Sequence, residues 1–228
     1  QCSISVMDNI ADPDITFDEK GICNYYYEYL EAEKTYVLKG EEGQKKYNEI
    51  ISLIKADGRG KKYDCILGVS GGVDSTYLAY LAKEAGLRVL CVHFDNGWNS
   101  ELAVKNIQNI VEKCDFDLYT YVIDWEEFKD IQLSYFKANV IDIEAVTDIA
   151  IFSALDIICK EQGIKHIIDG RNVVTEVTLP QAWICKNTSN LKDIHNQFGT
   201  IKRKSYPLMK PMRRRIVART KPFTSWTL

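Results

Sequence analysis

The stretch Cys65-Ile66-Leu67-Gly68-Val69-Ser70-Gly71-Gly72-Val73-Asp74-Ser75 decides the fold of this chain. Its first half is a short apolar run without polar alternation, which suits a strand covered on both faces. Its second half turns through adjacent glycines into Thr76 to Ala85, where Leu78, Leu81, Ala82 and Ala85 recur at helical spacing. A strand that turns directly into a helix leaves several backbone N–H groups unpaired and pointing one way, with the positive end of the helix dipole behind them. That is an anion site before any side chain is counted. Gly71 and Gly72 let the backbone approach an oxyanion, Ser70 and Ser75 offer hydroxyl donors, and Asp74 can hold Mg²⁺ or brace the loop.

Other phosphate and nucleophile motifs fit poorly. A Walker A loop needs Gly-x-x-x-x-Gly-Lys-Ser/Thr, whereas Gly60-Lys61 is followed by Lys62. The dinucleotide fingerprint Gly-x-Gly-x-x-Gly is absent, because the glycines are adjacent and a serine closes the motif. The pattern Ser-Gly-Gly-x-Asp-Ser resembles instead the PP-loop of the ATP pyrophosphatases, which include asparagine, GMP and NAD synthetases and tRNA-thiolating and lysidine-forming enzymes. The resemblance implies an adenine nucleotide alpha hydrolase-like fold and cleavage of ATP between its α- and β-phosphates. AMP is left on a carbonyl-type oxygen, a nitrogen or sulfur nucleophile displaces it, and the loop grips the departing pyrophosphate.

Working outward from the loop, the order is that of an α/β protein with a doubly wound, mostly parallel sheet. Gly86 is a helix stop, and Val89-Leu90-Cys91-Val92-His93-Phe94 is the next buried strand, ending in Asp95-Asn96-Gly97. Ligands of open α/β sheets sit beyond the carboxyl ends of the strands, which places Asp95 and Asn96 beside a nucleotide. His93 reads as a hydrogen-bonded core residue or, less simply, as a ligand. A helix over Ser100 to Cys114, with Ala103, Ile107, Ile110, Val111 and Cys114 on one face, leads to a strand over Leu118 to Ile123. Trp125 to Asn139 reads as a helix. Another follows on the face Ile151, Leu155, Ile158 and Cys159, with Thr147 as its N-cap and Asp148 in its first turn. Asp142 and Glu144, just before it, either belong to that helix start or face a substrate or Mg²⁺.

The strand His166-Ile167-Ile168, expected to be central, ends in Asp169-Gly170-Arg171-Asn172 with Thr175-Glu176 beyond. Gly170, Arg171, Asn172 and Glu176 are therefore substrate-side candidates. Arg171 can meet an anionic group through its planar fork, or it forms a surface pair with Glu176.

With 228 residues, 46% hydrophobic and 27% charged, the chain can bury one full core and a small appended module. No apolar run reaches the ~20 residues of a membrane span. No signal-peptide pattern opens the chain, so a cytoplasmic protein is expected. Its seven cysteines, an odd number scattered through apolar segments, suit reduced thiols in a core better than a disulfide framework. Net charge is −3, unevenly distributed. No acidic residue follows Asp193, and Lys202, Arg203, Lys204, Lys210, Arg213, Arg214, Arg215, Arg219 and Lys221 lie beyond it, against an acidic body. That pattern argues against a nucleic-acid enzyme, although the basic end alone could meet phosphates.

The N-terminal segment is spaced like half a zinc ribbon. Cys2 and Ser5 occupy one knuckle and Cys23 and Tyr26 the other, which leaves only two thiolates; zinc would need ligands recruited from elsewhere. The order Cys2-x-x-Ser5-Val6-Met7-Asp8, Asp12-Pro13-Asp14-Ile15-Thr16-Phe17-Asp18, Gly21-Ile22-Cys23-Asn24 and then Ser70 to Ser75 resembles the N-acetyl sugar amidotransferase family (WbpG/PseA type). The resemblance continues through Leu179-Pro180, Trp183, Leu191 to His195 and Phe198-Gly199-Thr200 and fades near Pro211. It departs from the family at Ser5 and Tyr26. The expected organisation is a zinc-ribbon-like segment (1–30), a helical connector (31–58), a PP-loop domain (59–211) and a basic, atypical tail (212–228). The resemblance implies ATP and Mg²⁺, a sugar-nucleotide substrate, and ammonia delivered by glutaminase and cyclase-like partner subunits. In that scheme Asp74 and Ser75 are catalytic, and Ser70 to Ser75 with Asp95 and Asn96 bind ATP and pyrophosphate.

Overall fold

The computed structural model describes residues 1–170, 179–180, 183 and 187–208. Two compact units divide within the second helix: of the described residues, the first contains Gln1–Tyr47 and the second Asn48–Gly170 together with 187–208.

The first unit carries α1 (Asn24–Tyr36) and the beginning of α2 (Gly40–Asp57). Its apolar centre is small: Cys2, Ile15, Cys23 and Tyr25, with Met7 and Tyr26 packed against them. Phe17 and Cys23 form an antiparallel bridge, and the Tyr25 hydroxyl donates to buried Asp12 at 2.5 Å.

In the second unit, four parallel strands run in the order β3 (Asp117–Val122), β2 (Val89–Asp95), β1 (Cys65–Gly68), β4 (Ile167–Ile168). Register places Gly68 opposite Val92, Asp95 opposite Val122 and Leu67 opposite Ile168. The chain moves outward from β1 to β2 to β3, then returns across β1 to add β4. The reversal falls between β1 and β4, the place where a doubly wound sheet opens a crevice at its carboxyl edge. Among the described residues β4 is therefore an edge strand, not the central one expected. It is also short: His166, just before it, still accepts the Ile66 N–H on its carbonyl at 2.9 Å, while its buried ring sets Nε2 2.8 Å from Asp57 Oδ2.

Both faces are covered. Ile54 of α2, Leu78, Ala79 and Ala82 of α3 (Val73–Glu84), and Ile107 and Ile110 of α4 (Glu101–Cys114) pack with Cys65, Leu67 and Cys91 on one face. Leu155, Ile158 and Cys159 of α6 (Ala145–Glu161) pack with Ile66, Leu90 and Val92 on the other. Complete burial of Ile66 and Leu67 on opposite sides of β1 explains why that strand has no polar alternation. Gly86, at φ +65°, ends α3: its N–H donates to Lys83 and that of Leu87 to Ala82, which satisfies two carbonyls of the last turn.

A further apolar cluster lies past the ends of β2 and β3. It joins Phe94 and Ile123 to Phe128, Ile131 and Tyr135 of α5 (Trp125–Ala138), Val146 and Ile149 of α6, and Leu191 and Ile194 of α7 (Thr188–Phe198). Helix α7 has clear local signals: Asn187 caps it by accepting from the Asn190 N–H at 2.7 Å, and Leu191, Ile194 and His195 share its buried face. The start of α6 differs from expectation. Glu144 holds the N-cap position without a side-chain bond, and Thr147 lies inside the helix, because the chain has already turned at Asp142, whose carbonyl accepts from Ala145.

Two ion-rich anchors hold the second unit. Asp64, just before β1, is buried; it receives Arg88 Nη2 at 2.6 Å and the Arg88 N–H at 2.8 Å, and Arg88 also donates to Gly58 O and Lys61 O. Burial pushes the Asp64 pKa upward, but Arg88 outweighs it and holds the carboxyl below its ordinary range. On α5, buried Asp130 accepts the N–H groups of Thr200 and Ile201, the Thr200 hydroxyl and the ring of His195. Burial is again opposed and overcome by these donors, so Asp130 sits well below the carboxylate range.

A carboxylate with a depressed folded-state pKa adds stability above its unfolded pKa and loses it as pH falls through the folded one. Asp130→Asn should therefore cost about 3 kcal/mol at neutral pH. It should also flatten the decline of urea midpoint as pH drops below about 4. A variant with the wild-type midpoint at pH 7 would show that Asp130 does not hold the 200–201 segment.

Candidate functional site

Strand β1 ends at Gly68, and Val69 continues the sheet by donating to Val92 O at 2.9 Å. The chain then leaves the sheet through Ser70, Gly71 and Gly72, with Gly71 at φ +77° and Gly72 in the N-cap position of α3. The first helical N–H with a backbone acceptor is that of Thr76, which donates to Gly72 O at 3.1 Å. Among the described residues, the N–H groups of Val73, Asp74 and Ser75 have no backbone acceptor, as expected for a helix N-terminus. Exposed Val73 and Asp74 flank this row of donors at the carboxyl edge of the sheet.

The serine hydroxyls also brace the loop. Buried Ser75 donates its hydroxyl to Gly72 O at 3.1 Å, lies 3.3 Å from Ser70 Oγ, and is 3.4 Å from the Ser70 N–H. Ser70 Oγ accepts the Gly72 N–H at 3.3 Å. These contacts fold the loop onto itself and so shape the anion cradle, beside which the N–H groups of Val73, Asp74 and Ser75 are left without backbone acceptors among the described residues. Asp74 stands exposed in the first turn of α3.

The loop is also gripped from α4, a relation the sequence did not reveal. Asn106 Nδ2 donates to Gly71 O at 2.9 Å, and a Cβ on Gly71 would lie 2.8 Å from Cα of Ala103. Left-handed φ and contact with helix backbone together demand glycine here. The end of β4 closes the other side: a Cβ on Gly170 would stand 3.1 Å from Asp74 Cβ and 3.5 Å from the Ser75 N. Gly170 thus meets the start of α3 at the switch point. Arg171, Asn172 and Glu176 lie outside the described residues.

At the end of β2, Asp95 Oδ1 accepts from the Gly97 N–H and from Asn99 Nδ2, and Asn96 Oδ1 accepts from the Trp98 N–H. These side chains fix the turn after the strand, on the same carboxyl edge as the loop. Exposed Trp98 packs edge-on against Trp125 at 5.6 Å and donates to Gln132 Oε1 at 3.1 Å. Its place follows from Gly97, at φ +81°, over which the Trp125 ring lies. His93 is a core residue, with Nδ1 3.2 Å from Val69 O.

Asp74 fits Mg²⁺ of the kind shared with bound phosphates, for which one or two carboxylates suffice. Zinc does not fit Cys2 and Cys23. Cys2 Sγ accepts the Cys23 N–H at 3.3 Å, Ser5 Oγ lies 3.9 Å from Cys23 Sγ, and among the described residues no group of three metal-ligating side chains occurs. The Ser5 hydroxyl, against burial and with the N–H groups of Ile4, Cys23 and Ser5, draws the Cys2 thiol down to about 6. Burial pushes Cys65, Cys91 and Cys159 up to about 12, which excludes them as activated nucleophiles. No helix among the described residues is long and apolar enough to cross a membrane.

A doubly wound sheet with a glycine-rich anion loop at its switch point defines a nucleotide-binding domain of the PP-loop class. Residues 64–212, more than half of the chain, match the model of the family described as queuosine biosynthesis protein QueC, and the chain belongs to that family. It is similar to an uncharacterized protein of Methanocaldococcus jannaschii, 32% identical over 57% of this chain and 46% of the other. It also resembles a tRNA(Ile)-lysidine synthase of Chlamydia pneumoniae, 38% identical over 32% of this chain and 23% of the other. Among solved structures, an NMN synthetase from Francisella tularensis aligns with a TM-score of 0.45 at 15% identity, covering 58% of this chain and 56% of that one. The chain spans about half or less of the length of these curated relatives.

Replacing Gly71 with Ala should force the loop away from Ala103 and cost about 2–3 kcal/mol, from strain at positive φ and overpacking. ATP-analogue affinity should fall at least tenfold in equilibrium dialysis. Unchanged affinity would show that the loop does not form the anion cradle.

Proposed function

We propose that the chain is an ATP-dependent amidotransferase. Its acceptor is the acetamido group of an activated N-acetyl sugar, and its product an acetamidino sugar for a surface polysaccharide or flagellar glycan. The observation that carries the ATP chemistry is the row of N–H groups without backbone acceptors at Val73 to Ser75, at the switch point close to Gly170. Membership of a PP-loop family supports the same chemistry. The choice of acceptor rests on the ordered segments from Cys2 to Asn24, which resemble the sugar amidotransferases.

The reaction forms a bond from the amide oxygen to the α-phosphorus of ATP and breaks the bond to the bridging oxygen, releasing pyrophosphate. The N–H groups of Val73, Asp74 and Ser75 and the positive end of α3 stabilise the charge that develops on pyrophosphate. Ammonia then adds to the activated imidate carbon, and AMP leaves with the former amide oxygen; the product is the amidinium, and one proton is released to solvent. Mg²⁺ at Asp74 would neutralise phosphate charge as pyrophosphate departs. The turn braced by Asp95 and Asn96 would lie beside the nucleotide, and the absence of a side chain at Gly170 lets the end of β4 approach the start of α3 closely. Ammonia is expected from glutaminase and cyclase-like partner subunits.

The test is pyrophosphate release from ATP with nucleotide-linked N-acetyl sugars and ammonium, comparing the chain with Asp74→Asn. Asp74→Asn is expected to reduce turnover at least a hundredfold. ATP binding without turnover in either protein would indicate a non-catalytic domain. Turnover that requires tRNA in place of sugar would assign the chain to tRNA modification.

A further inference from the structure

Segment 199–208 is held in an unusual way. From α5, Asp130 takes the N–H groups of Thr200 and Ile201, and buried Glu127 takes those of Lys204 and Ser205 at 2.5 and 2.9 Å and the Ser205 hydroxyl at 2.7 Å. Burial acts to raise the Glu127 pKa, but the Ser205 hydroxyl and the N–H groups of Ser205, Lys204 and Tyr206 hold it below its ordinary value. Each carboxylate is thus matched by backbone and hydroxyl donors. The cations of this segment are not matched by carboxylates.

Arg203 is the clearest case. Its Nη1 lies 2.6 Å from His195 Nδ1 and its Nη2 3.4 Å from Asn196 Oδ1, both neutral acceptors. A guanidinium can only donate, so His195 Nδ1 is the acceptor and Nε2 carries the proton given to Asp130 at 2.8 Å. The buried carboxylate sets the tautomer, the tautomer presents a lone pair, and the lone pair orients the guanidinium. Among the described residues, neither Arg203 nor its exposed neighbours Lys202 and Lys204 forms an ion pair. All three line an open groove of about 560 Å³ with Asn196, Thr200 and Tyr206. That volume suits a small-molecule ligand.

The groove also lies toward the right edge of the sheet. Glu127, which holds Lys204 and Ser205, is in the first turn of α5, directly after β3 ends. Tyr206 reaches Val146 O near the start of α6 and belongs to the cluster that contains Phe94 and Ile123.

We propose that this groove seats the phosphoryl oxygens of the nucleotide-linked sugar, with Arg203 as the oriented contact and Lys202 and Lys204 as mobile ones. The anion class follows from the groove; its identity as a sugar nucleotide rests on the amidotransferase reading above. Glu127 and Asp130 are positioning residues that hold the cations in place.

The experiment uses the full chain saturated with α,β-methylene-ATP, so that the PP-loop is occupied. Isothermal titration follows UDP-, GDP-, dTDP- and CMP-linked N-acetyl sugars, the free nucleotides, free N-acetylhexosamine and tRNA. At least one nucleotide-linked sugar should bind tighter than its free nucleotide and free sugar, and Arg203→Gln should weaken it at least tenfold while leaving α,β-methylene-ATP affinity within twofold. Because Arg203 supports a buried relay, the exposed double variant Lys202→Gln/Lys204→Gln is measured too, with an expected loss of at least threefold and an unchanged thermal midpoint. Sugar-nucleotide binding indifferent to these variants would overturn the groove and leave the amidotransferase reading intact. Arg203-dependent binding that ignores the sugar would support the groove as a phosphate seat and remove that reading. No binding by any member of the panel, or Arg203-dependent binding of tRNA in preference to all of them, would overturn the proposal.

Discussion

The contact between Gly71 and the first turn of α4 is the constraint on which the site depends. The loop must leave a buried strand, reverse its donors toward solvent and enter a helix within a few residues. It does so only because Gly71 takes a left-handed φ and sits directly on the backbone of Ala103, with Asn106 capturing its carbonyl. Any side chain at position 71 would separate the loop from α4 and turn the N–H groups away from one focus. The serines reinforce this geometry from within, and Gly170 does so from the far side of the crevice.

A second constraint works by another principle. Carboxylates usually resist burial, because the charged form loses its hydration. Asp64, Glu127 and Asp130 remain ionised because each is surrounded by donors that replace water: a guanidinium for Asp64, and backbone N–H and hydroxyl groups for the other two. The result ties irregular chain to regular elements. Residues 199–208 acquire a defined course without forming a strand, and their cations remain available on the open side.

Much of the fold was legible because its signals are local. Continuous apolar runs gave β1 and β2, helical periodicity marked α3, α4 and α6, and a glycine marked the end of α3. Failures occurred where local signals competed. Thr147 is a good capping residue by type, but the chain turns before reaching it. His166 read as strand and its carbonyl does take the Ile66 N–H, but its buried ring is a partner of Asp57, far away in sequence, which no local signal announced.

By itself, the sequence determined the strand–loop–helix unit, the anion chemistry of its backbone and the order of the α/β elements, because each depends on neighbours within about one helical turn or strand length. It also carried the ordered N-terminal segments whose resemblance to the sugar amidotransferases supports the proposed acceptor. Tertiary structure alone decided that Gly71 rests on Ala103, that β4 brings Gly170 to Asp74, and that Asp130 fixes His195 and through it Arg203. These relations join residues tens of positions apart. Their physical basis is the geometry of close approach and the demand that buried polar groups find partners, which no local pattern encodes.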